Sequence, residues 1–349
     1  VKVDFTGSFA RLGEAGSSAV EAERRGYDGW WVTETKVDPP LAAAIAAERT
    51  ERIGIGTAVT IAFARNPMTV ALQANDLQVA SGGRFALGLG SQIKAHVTRR
   101  FSMPWSKPAP RMREFVGAVR AIWASWDGGT PLDFVGEFYE HTLMTPFFDP
   151  GPNPFGPPDI YLAAVGPRMT EVAGEVADGL ICHAFSTERY VREVTMPLVE
   201  RGRARGGREG ERFELVAPGF VVVDEAGVDL AAAVAAVKDQ IGFYGSTPAY
   251  RPVLELHGWE GLGDRLNEMT RRGQWDQLGG AVPDEVFEAF AVVGTPEEVT
   301  EELDRRYGDL ATRLTLGLPE QADMERWAPL FDRLRGAGRT VGAREEEGR

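Results

Sequence analysis

Short apolar segments alternate with amphipathic helical ones along almost the whole chain, and this order leaves few folds open. Strand patterns fall at 1–6, 28–34, 53–62, 85–90, 159–165, 179–184, 213–223 and 313–318. Helical patterns separate them. Glu14 to Arg25 stops at Gly26, and Asp38-Pro39-Pro40 and Asn66-Pro67 open helices with proline in the first turn, where a missing N–H costs little. Met112, Phe115, Val116, Val119, Ile122 and Trp123 recur at helical spacing as one apolar stripe. Asp159 to Val165 is followed by a helix from Pro167, Gly179 to Ala184 by one over Thr187 to Arg205, and Phe213 to Val223 by one from Asp229. Thr295-Pro296-Glu297-Glu298 is a capping box, and the last helix carries Met324, Trp327, Phe331 and Leu334 on one face. Repeated strand–helix units make parallel strands. Eight of them predict a (β/α)8 TIM barrel, with a capped, doubly wound open sheet as the alternative.

A minimal barrel needs roughly 250 residues, and the chain has 349. The surplus is assigned to insertions within a single domain over 1–337. These are a hairpin near 132–142, a proline-rich connector over 146–158 and a helical insertion over about 245–290. The charged stretch from Gly338 to Arg349 reads as a disordered tail.

Composition excludes several functions. A net charge of −13 disfavours nucleic acid and anionic membrane surfaces as partners. One cysteine, Cys182, rules out an intramolecular disulfide and a thiolate metal site. His96, His141, His183 and His257 lack zinc-ligand spacing, so no metal is expected. No apolar run reaches the roughly 18 residues of a membrane span, and a cytoplasmic protein is expected.

Barrel chemistry sits at the C-terminal ends of the strands. No paired carboxylates, clustered early histidines or G-x-S-x-G elbow occur there. Gly88-Leu89-Gly90 lacks the third glycine of a dinucleotide fingerprint. Small and polar residues remain: Glu34-Thr35, Thr57 to Thr60, Ser91 to His96, and Ala163-Ala164-Val165-Gly166 running into a helix. Each alone fits strand–helix packing. Together they describe a flat apolar slot with a phosphate-like anchor.

The run Leu77-Gln78-Val79-Ala80-Ser81-Gly82-Gly83-Arg84-Phe85-Ala86-Leu87-Gly88-Leu89-Gly90 resembles the bacterial luciferase-like family of flavin and deazaflavin oxidoreductases. Gly54 to Thr60, Pro158 to Gly179 and Val293 to Val299 match further segments in the family's order. The resemblance implies a (β/α)8 barrel and a bound cofactor. That cofactor is coenzyme F-420, a deazaflavin, with FMN as the alternative. Five lysines against 33 arginines suggest a GC-rich genome of actinobacterial type, where the deazaflavin is common.

In the deazaflavin branch a non-proline cis peptide backs the ring, and Ala58-Val59 occupies its position. Glu34 stands where an acid adjoins the ring. Thr35 replaces a frequent His, His96 a common Asn, and Ile93 a familiar acid. The implied cofactor contacts are Glu34, Thr35, Ala58, Val59, Thr60, Gly90, Ser91, His96, Ala163, Ala164, Val165 and Gly166. The implied reaction is hydride transfer to or from a small organic molecule, either an alcohol–ketone pair or an activated double bond. His96 is the first candidate for proton exchange and Glu34 the second. The plainer readings are a loop residue for His96 and a strand-end ion pair for Glu34. Phe101 and Trp105 lie in a cationic, aromatic loop that lines the substrate entrance, clamps a cofactor tail or simply packs. His183 reads as packed beneath the cofactor, Cys182 as core. Aromatics at Phe243, Tyr244, Tyr250, Trp259 and Trp275 suggest a lid or an oligomer contact, and a homodimer or higher homo-oligomer is expected. An FMN-dependent monooxygenase, a non-catalytic flavin-binding protein and an unrelated barrel lyase or isomerase are the competing functions.

Overall fold

A computed structural model describes residues 1–128 and 130–337, so the tail expected at Gly338 to Arg349 lies outside the described residues. Eight strands form the barrel of the central sheet: β1 (Lys2–Gly7), β2 (Gly29–Val32), β3 (Gly54–Thr57), β4 (Phe85–Gly90), β5 (Asp159–Ala164), β6 (Gly179–Cys182), β7 (Glu214–Val216) and β8 (Arg313–Thr315), and the two-residue strand Thr60–Ile61 pairs with the end of β4 as a ninth. Their hydrogen-bonding order is β3-β2-β1-β8-β7-β6-β5-β4, and β4 pairs again with β3. The sheet therefore closes into the expected parallel eight-stranded barrel. All eight strand patterns of the sequence appear in it. Among the described residues no helix is long and apolar enough to cross a membrane.

The chain divides into two compact units. One comprises Asp4–Ile181 and Leu198–Phe213; the other comprises Val1–Val3, Cys182–Pro197 and the chain from Glu214 onward.

In the first unit β1 to β5 alternate with α1 (Glu14–Arg24), α2 (Pro39–Arg49), α3 (Pro67–Ala80), α4 (Pro108–Trp126) and α5 (Pro167–Val176). Asp38 caps α2 and Asn66 caps α3 through their side chains. The α4 stripe is buried as its spacing predicts: Met112, Phe115, Val116, Val119 and Ile122 expose nothing. Each contributes about 1.5–3 kcal/mol by leaving water. Gly82 and Gly83 take left-handed φ values of 65° and 85° to end α3. Arg84 then binds the carbonyls of Ile53 (2.6 Å) and Thr50 (2.9 Å). That is why the Gly-Gly-Arg step precedes β4: it anchors α3 and β4 to the start of β3.

The second unit holds α6 (Met196–Gly206) only through its first residues, and α7 (Leu230–Gly245), α8 (Glu260–Arg271), α9 (Pro296–Tyr307) and α10 (Met324–Ala337) in full. Its apolar core gathers Phe185, Phe220, Ile241, Leu254, Phe287 and Phe290. The insertion near 245–290 is helical, including Arg251–Leu256, α8 and Asp284–Phe290. The capping box at α9 forms: Thr295 N–H donates to Glu298 Oε2 at 2.9 Å.

Four segments differ from expectation, the first being the strand run over 53–62, which breaks after Thr57. The strand pattern over 213–223 is two strands, interrupted at Ala217-Pro218-Gly219, because proline has no N–H for a ladder. Its second half, Phe220–Val223, pairs in parallel with Ala291–Gly294 outside the barrel, and the latter strand is hidden in sequence by the helix start that follows it. The helix over 187–205 contains a π-turn at Val191–Thr195.

Candidate active site

In the first unit, the ends of β1, β2, β3 and β4 meet through side chains. Glu34, just beyond β2, is part-buried with its side chain 7% exposed, and its Oε2 accepts from Ile61 N–H at 2.7 Å and Arg65 Nη1 at 2.8 Å. Arg65 Nη1 also reaches the Ile61 carbonyl at 3.2 Å, while Nη2 binds Asp38 Oδ2 at 2.6 Å. Asp38, the cap of α2, holds the Arg65 end of this bridge, and the Ile61 N–H holds the Glu34 end. Of the two readings of Glu34, the strand-end ion pair is therefore present. Arg65 is the residue the sequence reading missed; its signal was an arginine directly before the Asn-Pro helix start.

The bridge fixes the segment after β3, where the Ala58–Val59 peptide is cis, as the resemblance implied. Thr57 Oγ1 donates to the Gly88 carbonyl at 2.7 Å and accepts from Gly88 N–H at 3.0 Å. A Cβ at Gly88 would lie 1.7 Å from the Thr57 carbonyl oxygen, and one at Gly90 would lie 2.5 Å from Val59 Cγ2. Both glycines of Gly88-Leu89-Gly90 thus serve close strand packing and not a dinucleotide turn. Thr60 is fully buried, and its Oγ1 has no hydrogen-bond partner among the described residues.

Thr35 Oγ1 lies 2.7 Å from Ser8 Oγ, and Arg100 Nη2 donates to the Thr35 carbonyl at 3.0 Å. Arg100 also covers the Phe101 ring at 4.8 Å. After β4, Ser91 bonds the Gln92 carbonyl, and Gln92 takes a left-handed φ of 57°. His96 opens a π-turn over His96–Arg100 and is exposed. No hydrogen bond joins its ring to the Glu34 bridge among the described residues. Single π-turns recur at functional sites. Trp105 packs edge-on against Phe63 at 5.9 Å, and its loop is held by buried Arg111, which donates to the Pro104 carbonyl and covers the Phe63 ring.

Strand β5 lies beside β4, Leu162 opposite Leu89. It ends in Ala163-Ala164-Val165-Gly166, where α5 starts with no side-chain cap and no acid in its first turn. A Cβ placed at Gly166 meets nothing within 4 Å. Pro167 has no N–H and those of Met169 and Thr170 bond the Gly166 carbonyl, so this helix start offers the Arg168 N–H beside open space, which suits a phosphate.

In the second unit, His183 follows β6 directly. Its Nδ1 accepts from Phe185 N–H at 3.0 Å, and its Nε2 lies 3.1 Å from Tyr250 Oη. Burial pulls this imidazole down to about 4 and pushes the Tyr250 phenol up to about 12. His257 stacks on Trp259 and bonds Thr187. Cys182 is a buried free thiol, pushed up to about 12 by burial. Among the described residues no His, Cys, Asp and Glu cluster could hold a metal.

An uncharacterized protein of Mycobacterium tuberculosis, Rv1360, is 48% identical over 304 residues, covering 87% of this chain and 89% of that one. The 5,10-methylenetetrahydromethanopterin reductase of Archaeoglobus fulgidus is 29% identical over 314 residues, with the same coverage. Among solved structures, the coenzyme F420-dependent tetrahydromethanopterin reductase of Methanopyrus kandleri matches with a TM-score of 0.76 at 23% identity, over 95% of this chain and 96% of its own. An F420-dependent secondary alcohol dehydrogenase matches at 0.69 and 20% identity, over 97% and 98%. The FMN-bound oxygenating constituent of 3,6-diketocamphane monooxygenase from Pseudomonas putida matches at 0.63 and 16%, over 96% of each chain. The family model described as luciferase-like monooxygenase covers residues 4–313, and the chain belongs to that family as an oxidoreductase.

Proposed function

We propose that this chain is a coenzyme F-420-dependent oxidoreductase acting on a small organic substrate, an alcohol–ketone pair or an activated double bond. The observation that carries the reading is the open, uncapped start of α5 at Gly166, next to strand ends made of small residues. There Ala163 to Gly166 would hold the cofactor phosphate with main-chain N–H groups. Thr35, Ala58, Val59, Gly90 and Ser91 would line the ring, with the fully buried Thr60 behind them, its hydroxyl without a partner among the described residues. The bound deazaflavin supplies hydride chemistry. The protein's share is to orient, to exclude water and to exchange a proton.

Glu34 is engaged by Ile61 and Arg65, and its role in this reading is to hold the 58–61 segment. His96, on the π-turn after β4, is the proton-exchanging group. Phe101 and Trp105 flank the substrate entrance. The named methylenetetrahydromethanopterin reductases among the relatives favour the deazaflavin, whereas the FMN-bound neighbour keeps FMN as the second reading.

Absorbance titration with F-420, FMN and the deazaflavin chromophore lacking its phosphate tail tests this. Gly166→Asp places a carboxylate at the seat while supplying a favoured helix cap. It should weaken F-420 binding at least about tenfold and leave the tail-less chromophore unaffected. Binding of neither cofactor by the wild type rejects the reading, and tighter FMN binding selects the alternative. His96→Ala should keep cofactor affinity within a few fold and abolish turnover.

A further inference from the structure

The His183–Tyr250 contact has a direction, and that direction defines what can bind beside it. The backbone N–H of Phe185 donates to His183 Nδ1 at 3.0 Å, so Nδ1 carries no proton. The ring's single proton is then on Nε2, and it points along the 3.1 Å contact to Tyr250 Oη. Tyr250 accepts there. Its own hydroxyl proton has no acceptor among the described residues and must be donated elsewhere.

The Tyr250 ring cannot easily turn away. His183 lies 4.7 Å from it, Phe185 5.5 Å and Tyr244 5.6 Å, all as ring-centre distances. Tyr244 also meets His183 edge-on at 4.6 Å. The cluster is aromatic and, with the imidazole kept neutral and the phenol kept protonated by burial, uncharged at neutral pH. His183 immediately follows β6, and barrel enzymes bind their substrates beyond the C-terminal ends of strands.

From this geometry we propose that Tyr250 is a substrate-binding residue whose hydroxyl donates to a neutral carbonyl oxygen, with His183 as the positioning residue that fixes the direction of the donor. An uncharged donor among aromatic rings favours a ketone or amide oxygen over a carboxylate, whose desolvation it cannot repay. The inference rests on the oxidoreductase reading above and narrows its substrate class to carbonyl compounds with an apolar body. It requires a hydrogen bond and no proton transfer.

The test uses the full chain without cofactor and two probes of matched shape, acetophenone and ethylbenzene. Wild type should bind acetophenone about tenfold more tightly, the value of one hydrogen bond in a partly buried site. The ¹³C resonance of the labelled carbonyl should move downfield on binding. Tyr250→Phe removes one oxygen, and it should equalise the two affinities and abolish the shift. His183→Gln keeps an acceptor for Phe185 and a donor for Tyr250, so it should retain much of the preference, whereas His183→Leu should lose it. Near-ultraviolet circular dichroism checks that each variant is folded; if the Leu variant is not, the Tyr250→Phe comparison decides. Equal binding of the probes by wild type, or an unchanged carbonyl shift in Tyr250→Phe, overturns the proposal. A parallel F-420 titration separates it from the parent reading. Preference without F-420 binding supports the carbonyl site and rejects the cofactor, while F-420 binding without preference does the reverse.

Discussion

Replacing Arg65 by Leu should destabilise the protein more than replacing its partner, and the reason lies in what each substitution leaves behind. Glu34 and Arg65 side chains are 7% and 12% exposed. Without Arg65 the carboxylate keeps only Ile61 N–H, and a buried charge stripped of its partner costs about 3–5 kcal/mol. Glu34→Gln keeps an acceptor for Ile61 and removes the charge. Arg65 retains the Ile61 carbonyl and the half-exposed Asp38, so about 1 kcal/mol is lost. The double variant has no stranded carboxylate and should fall near 1–2 kcal/mol, below Arg65→Leu alone. The expected coupling is then about 2–5 kcal/mol, read from urea midpoints at constant m-value in a double-mutant cycle. Additivity within about 0.5 kcal/mol, or a loss below about 1 kcal/mol for Arg65→Leu, would refute the claim that this bridge holds the 58–61 segment.

Other consequences are read as simply. Gly88→Ala puts a methyl 1.7 Å from the Thr57 carbonyl and should abolish soluble folded protein, checked by circular dichroism and gel filtration. His183 should make stability fall in acid. Its imidazole sits at about 4 when folded and near 6.5 when unfolded, so between those values the unfolded chain binds the extra proton. Stability attributable to it is complete above about pH 6.5 and lost by about pH 4, a difference of about 3 kcal/mol. Subtracting the His183→Gln profile isolates this slope from the acid-sensitive carboxylates; identical slopes would contradict the burial. Cys182, with its thiol pushed up to about 12, should resist a disulfide reagent at pH 8 when native and react at once in urea. Rapid native labelling would place it at the surface.

Which features were visible in the sequence follows from their range along the chain. The eight barrel strands, the α4 stripe and the caps at Asp38, Asn66 and Thr295 are encoded within a turn or a strand length, where periodicity and cap chemistry act. The strand Ala291–Gly294 escaped because its partner, Phe220–Val223, lies some 70 residues earlier and only pairing defines it. The strand run over 53–62 concealed a break after Thr57, where the chain turns through Ala58–Val59 into Thr60–Ile61 and a 3₁₀ turn. Gly88 and Gly90 were legible as a pair on one strand face, but their purpose appeared only once Thr57 and Val59 were seen against them.

The same distinction governs the candidate site. Glu34 at a strand end announced itself, yet its role turns on Arg65, 31 residues later and one of 33 arginines. Tyr250 and His183 are 67 residues apart, and neither the proton on Nε2 nor the donor on Oη exists as a feature until the Phe185 amide is placed against Nδ1. Local sequence therefore specifies the scaffold and the small residues that leave room for a cofactor. Long-range pairs decide which charged group is already satisfied and which donor is still free. A search for function in chains of this fold gains most from asking, at each strand end, which polar atom the fold has left without a partner. Among the described residues that question leads to Thr60 and to the start of α5, whereas Glu34 is already engaged and Tyr250 Oη, partnered by His183, still has its own proton to donate.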